Sequence, residues 1–249
     1  MEGLSPQQQV AISRRILAAH GCESTVGGHV SLRAQDDPSH FYFSPFQYFA
    51  DTLPRDVARL DADLGVVEGT MLTAPAAQFH RSIYRARPDV GSVIHIHSYW
   101  VAVFSTTRRT VATYNMEGVL LHDDQVFYED DGVGPLVDGD TMARLLGDRS
   151  IILIKNHGAV IAGSTIAEAT VKALTLERCA KIQIDAEAIR GVEVSEAVVQ
   201  KAKPSFYKYF IPQMWEVNVE RLRRTVPEIF EEPGGAPAPA RDLAGVGGG

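Results

Sequence analysis

Residues 93–100 read VIHIHSYW. His95 and His97 are separated by one isoleucine and preceded by apolar β-formers. Side chains on a strand alternate faces, so both imidazoles project the same way, about 7 Å apart along the strand. That spacing lets two imidazoles converge on one small cation. A third histidine, His157, ends the apolar run IILIKNH and is followed by Gly158. It lies where a buried strand reaches the surface, a usual place for chemistry. Three neutral imidazoles suit Zn, Fe, Ni or Co better than Mg or Ca, which prefer oxygen ligands. Three protein ligands leave positions open for water or substrate, the pattern of a catalytic rather than a structural site. The competing reading is plain. A single strand histidine is usually a satisfied core or surface residue, and an H-x-H pair does not by itself establish a metal site.

The surrounding pattern supplies elements that position these residues. SPQQQVAISRRILAAH (5–20) predicts a helix, with Ser5 as N-cap, Pro6 in the first turn and Gly21 ending it. HVSLRA and HFYFSPF alternate as strands, split by the turn-like QDDPS, and RLDADLGVVEG reads as a short hairpin. APAAQFHRSIYRARPDV predicts a helix with Ala76, Phe79, His80, Ile83 and Tyr84 near one face, closed by Pro88. The His95 strand leads into YWVAVFSTTR, read as helical. SIILIKNHGAVIAG predicts a buried strand breaking at Gly158, then a second short strand. TIAEATVKALTLERCAKIQIDAEAI is the longest periodic helix, and a helical region follows over about 194–231. Strands and helices mixed without strict βαβ alternation indicate an α+β or three-layer αβα domain over residues 1–232. The tail PGGAPAPARDLAGVGGG, within 233–249, has little to bury and is expected to be disordered.

Composition narrows the function classes. The chain has 249 residues, 45% of them hydrophobic, enough for one sizeable core. Its net charge is −7, without a basic stripe, so nucleic acid and anionic membrane are poor partners. No apolar stretch reaches about 18 residues, so none is expected to span a bilayer. The N-terminus lacks a basic segment followed by an apolar run, so no signal peptide is expected. Cys22 and Cys179 lie in different segments and form no ligand pair, and a reducing cytoplasm is the simplest compartment.

The quoted motifs resemble the class II aldolase/adducin family. HRSIYRARPDVGSVIHIHS (80–98) and LGDRSIILIKNHGAVIAGSTIAEA (146–169) carry the resemblance, and GGHVSLR (27–33), FYFSPF (41–46) and LERCAKIQ (176–183) fit it in the same order. It covers roughly residues 8 to 185. The resemblance implies an α/β fold, a three-layer αβα sandwich around a mostly antiparallel sheet. It also implies a homotetramer with its metal site at the subunit interface, and His95, His97 and His157 as ligands of a divalent transition metal: zinc first, with Fe(II) or Mn as alternatives. Sugar-phosphate aldolases of the family carry PSSE before the histidine matched by His80; its Glu is the acid/base and its serines hold phosphate. This chain has TAPA (73–76), with Ala76 at the Glu position, and alanine cannot move a proton. The aldolase GN-x-S is here GGHVS, with His29, and the TPSG phosphate turn has become SPFQ (44–47). Three phosphate-contacting elements change together, which points away from a sugar phosphate and from the standard retro-aldol reaction. The GHxS and FH-x-x-IY-x-ARPDV details resemble the adducin-like branch, which includes the non-catalytic adducin head.

What remains is a metal that can take a bidentate oxygen ligand such as a 2-oxo acid, a hydroxy acid or a catechol-like carboxylate, and stabilise an enolate. Decarboxylation needs no base to start it, so losing the Glu harms it less than retro-aldol cleavage. The expected function is a metal-dependent lyase, a decarboxylase or aldolase-type enzyme, acting on a C–C bond of a non-phosphorylated small-molecule substrate. The alternatives are a non-haem Fe(II) oxygenase on the same histidines and an adducin-like interaction domain without turnover. His80 and Tyr128 are candidate proton carriers. His29, Arg33, Lys155 and Trp215 are candidate substrate contacts, Trp215 as a lid over a neighbouring subunit's pocket and otherwise as packing. Lys155 would share a face with His157 if the strand continues, and Glu117 is a possible local base.

Overall fold

A computed structural model describes residues 3–69, 76–129 and 138–231. The tail expected to be disordered, and residues 73–75 of the TAPA stretch, lie outside them. Helix α1, Pro6–Ala19, opens with a capping box. The Ser5 hydroxyl accepts from the Gln8 amide while the Gln8 side chain accepts from the Ser5 amide. Strands β1 (His29–Arg33), β2 (Phe41–Phe43), β3 (Ala58–Leu60) and β4 (Val66–Glu68) follow, then helix α2 (Ala77–Ala86) and strand β5 (Ser92–Ile96). Next come α3 (Tyr99–Ser105), β6 (Gln125–Tyr128), α4 (Gly139–Leu146), β7 (Ile151–Ile154) and β8 (Gly158–Gly163). Helices α5 (Ile166–Ala188), α6 (Glu196–Ser205) and α7 (Ile211–Thr225) complete the chain.

The eight strands form one sheet in the order β4-β3-β2-β1-β5-β8-β7-β6, antiparallel throughout except for the β6–β7 pair. Period-two alternation sorts the side chains. Val30, Ile94, Ile96, Leu153 and Ile161 pack with residues of α1, α3, α5 and α7 on one face. Phe41, Phe43, Val93, Ile152, Ile154 and Val160 pack with α2 and α4 on the other. The expected three-layer αβα sandwich with a mostly antiparallel sheet is therefore observed.

One local expectation needs correction. The run IILIKNH does not stay extended to Gly158: β7 ends at Ile154, and residues 155–157 form a turn with Asn156 at φ 54°. Asparagine tolerates that left-handed conformation, and the turn lets β7 and β8 pair as a hairpin. Gly158 then runs against β5, where an added Cβ would lie 2.2 Å from the Ile96 carbonyl oxygen. The C-terminal region is helical as expected, over 196–225, with an irregular turn inside it. A π-helical turn at Phe206–Phe210 separates α6 from α7, directly after Pro204, which lacks the N–H needed for a regular helical bond.

Helix α5 is the scaffold. Its Lys172, only 1% exposed at the side chain, bonds Asp124 at 2.9 Å, Glu168 at 2.8 Å and Ser150 at 2.8 Å, tying α5 to the ends of β6 and β7. None of its helices is long and apolar enough to cross a membrane among the described residues.

Candidate metal centre

His95 lies near the end of β5 and His97 just beyond it, both on the α2/α4 side by strand alternation. The β7–β8 turn brings His157 over them. The Nε2 atoms of His157 and His97 are 2.9 Å apart, and those of His157 and His95 3.3 Å. With bonds of about 2.1 Å to a shared ion, these separations correspond to angles of about 90–105° between ligands, compatible with tetrahedral or octahedral coordination. The His95 Nδ1–H donates to the Ala159 carbonyl at 2.9 Å, which leaves Nε2 as a lone pair aimed at the cluster. One proton on His157 Nε2 cannot serve both neighbours at once, and a cation placed among the three Nε2 atoms would satisfy all of them. Among the described residues no carboxylate joins this group. Burial first, then the other imidazoles, holds His95 well below the ordinary histidine value. Burial and then His157 lower His97 to about 4. Neutral imidazole is the form a metal binds.

Neighbouring groups hold these histidines in place. The Ser24 hydroxyl accepts from the His97 amide at 2.9 Å. Gly27 lets the chain pass His97, since a Cβ there would sit 3.2 Å from its Cε1. Glu177 of α5, 7% exposed, accepts from the Ser98 hydroxyl at 2.6 Å and from the amides of Trp100 at 3.0 Å and Val101 at 2.9 Å. A carboxylate there satisfies the open N–H groups at the start of α3, immediately after His97. Glu177→Ala is expected to destabilise the fold by about 1–3 kcal/mol, because those buried donors lose their acceptor. It should also weaken zinc binding about 10–100-fold by loosening His97. Urea unfolding and zinc titration of the same variant measure both.

The other anticipated residues divide. His29 on β1 is directly opposite His95 on β5, their ring centroids 4.9 Å apart. His80 on α2 is fully buried, with Nε2 2.8 Å from His29 Nδ1 and Nδ1 2.7 Å from the Ser31 hydroxyl. Burial lowers both rings far below the ordinary value, with the neighbouring histidines adding to it. Tyr128 ends β6, opposite Ile154, at the same end of the sheet. Arg33 is placed differently: at the far end of β1 from His29, its guanidinium donates to the carbonyls of Tyr84, Arg87, Val90 and Pro38, closing the C-terminus of α2. Lys155 is turned out by the 155–157 loop and pairs with Glu129 at 3.0 Å, because the strand that would have aligned it with His157 has ended. Trp215 is 4% exposed and packs in its own chain's core, as the apolar face of α7 requires, and does not project as a lid. Glu117 pairs with Arg178 at 2.9 Å.

Within the SPFQ turn it is Ser44 that faces inward. Ser44 is buried and accepts from Arg14 Nη1 at 2.6 Å and from the Val30 amide at 3.0 Å. Arg14 also reaches the carbonyls of Gly28, Pro45 and Gln47 and lies over the Phe49 ring. Ser24, Ser31, Tyr84, Arg14 and Glu177 were missed as site residues. Ser31, Tyr84 and Glu177 lie within the motifs that carry the family resemblance, whereas Arg14 and Ser24 lie outside them.

Residues 8–184 match the family described as "Class II Aldolase and Adducin N-terminal domain". "Decarboxylase NovR" of Streptomyces niveus is 33% identical over 70% of this chain and 67% of its own length. The "4-hydroxy-3-prenylphenylpyruvate oxygenase/4-hydroxy-3-prenylbenzoate synthase" of Streptomyces roseochromogenus subsp. oscitans is 32% identical over 70% of this chain and 66% of its own. Among solved structures, the L-fuculose 1-phosphate aldolase from Glaciozyma antarctica PI12 superposes with a TM-score of 0.79 at 22% identity, covering 88% of this chain and 90% of that one.

Proposed function

This chain belongs to the class II aldolase/adducin family, and we propose that it is a cytosolic, metal-dependent lyase acting on a C–C bond of a non-phosphorylated carboxylate or carbonyl compound. The observation that carries this reading is the cluster of His95, His97 and His157, whose ligand atoms lie within 4.8 Å of one another with no carboxylate among them. Zinc is the metal expected, with Fe(II) or Mn as the alternatives, and a homotetramer is the assembly that the family resemblance implies. A metal held there would supply Lewis-acid stabilisation to negative charge on a substrate oxygen, the enolate charge that develops when CO₂ leaves an acid whose carbonyl lies β to the departing carboxylate.

The chain's own residues do the rest. Ser44 is occupied by Arg14 and Val30, and the aldolase asparagine is replaced by a buried neutral imidazole, so phosphate has lost two of its usual contacts. His29 stands beside His95 and is suited to orient a substrate oxygen. Tyr128, at the same end of the sheet, is the candidate for returning a proton to the product carbon. His80 supports His29 from behind.

A specific similarity favours a second reading, the Fe(II) oxygenase: one relative above 30% identity bears the name of an oxygenase. The test is turnover of a panel of aryl 3-oxo, 2-oxo and 2-hydroxy acids, with zinc-, manganese- and iron-loaded protein, under argon and in air. The lyase reading expects CO₂ or aldehyde release under argon with undiminished rate. Turnover only with iron, and only with matching oxygen uptake, replaces it by the oxygenase. Absence of turnover in every condition leaves the adducin-like role.

A further inference from the structure

Behind His29 lies a line of hydrogen bonds that joins the GHxS and FH-x-x-IY motifs and that binding of a metal does not by itself require. His29 Nδ1 meets His80 Nε2 at 2.8 Å, His80 Nδ1 meets the Ser31 hydroxyl at 2.7 Å, and the same hydroxyl meets the Tyr84 hydroxyl at 2.7 Å. All four side chains are buried, at 3%, 0%, 0% and 5% exposure. We propose that this line fixes His29 as the Nε2–H tautomer, so that it presents a hydrogen-bond donor toward the metal cluster and selects substrates that place an acceptor oxygen there, a carboxylate or carbonyl rather than a hydroxyl proton. The inference rests on the site reading above and deepens it.

The polarity follows from Ser31. Its single proton has three acceptors in reach, His80 Nδ1 at 2.7 Å, the Tyr84 oxygen at 2.7 Å and the Val93 carbonyl at 3.4 Å, and the buried Tyr84 hydroxyl must itself donate to Ser31, its only side-chain hydrogen-bond partner among the described residues. Hydrogen bonds weaken steeply toward the longer distance, so the proton belongs on the line to His80. With His80 Nδ1 accepting, its Nε2 carries the proton and donates to His29 Nδ1. His29 is left with its proton on Nε2, and no described side chain takes it. The reverse polarity would have Ser31 receive two donors at 2.7 Å while its own proton fell to the 3.4 Å contact. The line also ends at a buried phenol. Burial raises the Tyr84 hydroxyl far above the ordinary tyrosine value, so no proton enters from that end. The line therefore orients His29 and does not relay protons to it; Ser31, His80 and Tyr84 are positioning residues.

Two-bond ¹H–¹⁵N correlation spectra of protein carrying ¹⁵N-labelled histidine, recorded with and without one equivalent of zinc, test this. Assignments come from His29→Gln and His80→Gln. The expected result is a pyrrole-type Nε2 and a pyridine-type Nδ1 for both His29 and His80, in metal-free and zinc-loaded protein alike. A pyrrole-type Nδ1 on His29 overturns the proposal. In Tyr84→Phe, Ser31 is released to accept from His80, and a second tautomer population is expected for His29. A His29 that remains wholly Nε2-protonated in a folded Tyr84→Phe removes the positioning role of that tyrosine. Loss of zinc-induced shifts at His95, His97 and His157 would instead strike the metal reading and leave the tautomer result standing.

Discussion

Replacing His157 with alanine is expected to remove the metal while leaving the fold in place. His157 lies in a turn, half-buried, and its Nε2 is the atom that meets both other ligands, at 2.9 Å and 3.3 Å. Losing it leaves two imidazoles on neighbouring positions of one strand end, which hold a divalent ion weakly. Changes to groups that merely support a ligand lower metal affinity about 10–100-fold. Loss of a ligand should exceed that, so zinc affinity is expected to fall by more than about 100-fold, with any metal-dependent turnover falling alongside it. The His157→Ala variant should keep its circular dichroism spectrum, since the turn backbone is set by Asn156 and Gly158 rather than by the imidazole. His95→Ala should lose metal as well and also some stability, because its ring is buried between Ala159 and the His29 ring. Zinc titration against a chromophoric chelator measures the affinities. Unchanged affinity in His157→Ala would remove the metal centre described here.

Lys172→Met is expected to be the most damaging single change to the fold. Its ammonium is buried between Asp124, Glu168 and Ser150, and removing one member of a buried ionic group strands the others. The expected loss is about 3 kcal/mol, near the low end for breaking a buried pair, because Ser164 still donates to Glu168 and the Ser150 amide still donates to Asp124. Against a domain stability of about 5–15 kcal/mol, that is a large share. The pH dependence gives a second readout. Burial pushes the Glu168 carboxyl up, but Lys172 and then Ser164 outweigh it and hold the carboxyl below the usual range. The native stabilisation is therefore present above the unfolded carboxylate value and fades as pH falls through the lower folded one. For Lys172 itself, burial acts downward, yet Asp124 and Glu168 raise it overall, so its share is lost only in strong alkali. In Lys172→Met the attraction is gone and burial dominates at Glu168, so protonation favours the folded state. The stability deficit should be greatest at pH 7–8 and shrink as pH falls toward about 4. Urea unfolding at a series of pH values measures it. A deficit that grows on acidification would contradict the network as described.

How much of this was legible in the sequence depends on how local each signal is. The capping box at Ser5 and Gln8, the hairpin of β3 and β4, and α5 announce themselves through cap residues, turn residues and periodicity. The shared face of His95 and His97 follows from strand alternation alone. His157 could be expected at the end of a strand, but its convergence with them depends on β5 pairing β8, a contact across about sixty residues that no local pattern specifies. Lys155 was misplaced for a related reason. Counting along a strand assumes the strand continues, and a turn with one left-handed asparagine ends it three residues early, at Ile154. Arg33 and Trp215 show the limit of residue type. An arginine at a sheet end can clamp a helix terminus as readily as a substrate, and a tryptophan on an amphipathic helix defaults to the core. Ser31 and Tyr84 lie within the GHxS and FH-x-x-IY motifs, but their place behind His80 is set only when the sheet is assembled.

X-ray absorption at the zinc edge, on protein loaded with one equivalent of zinc, examines the proposed centre most directly. The expected spectrum shows nitrogen or oxygen neighbours at about 2.0–2.1 Å, multiple scattering from three imidazoles, and the remaining position or positions taken by oxygen from solvent. Sulfur scattering, or a shell with fewer than three imidazoles that is unchanged in His157→Ala, would contradict a three-histidine centre with room for substrate.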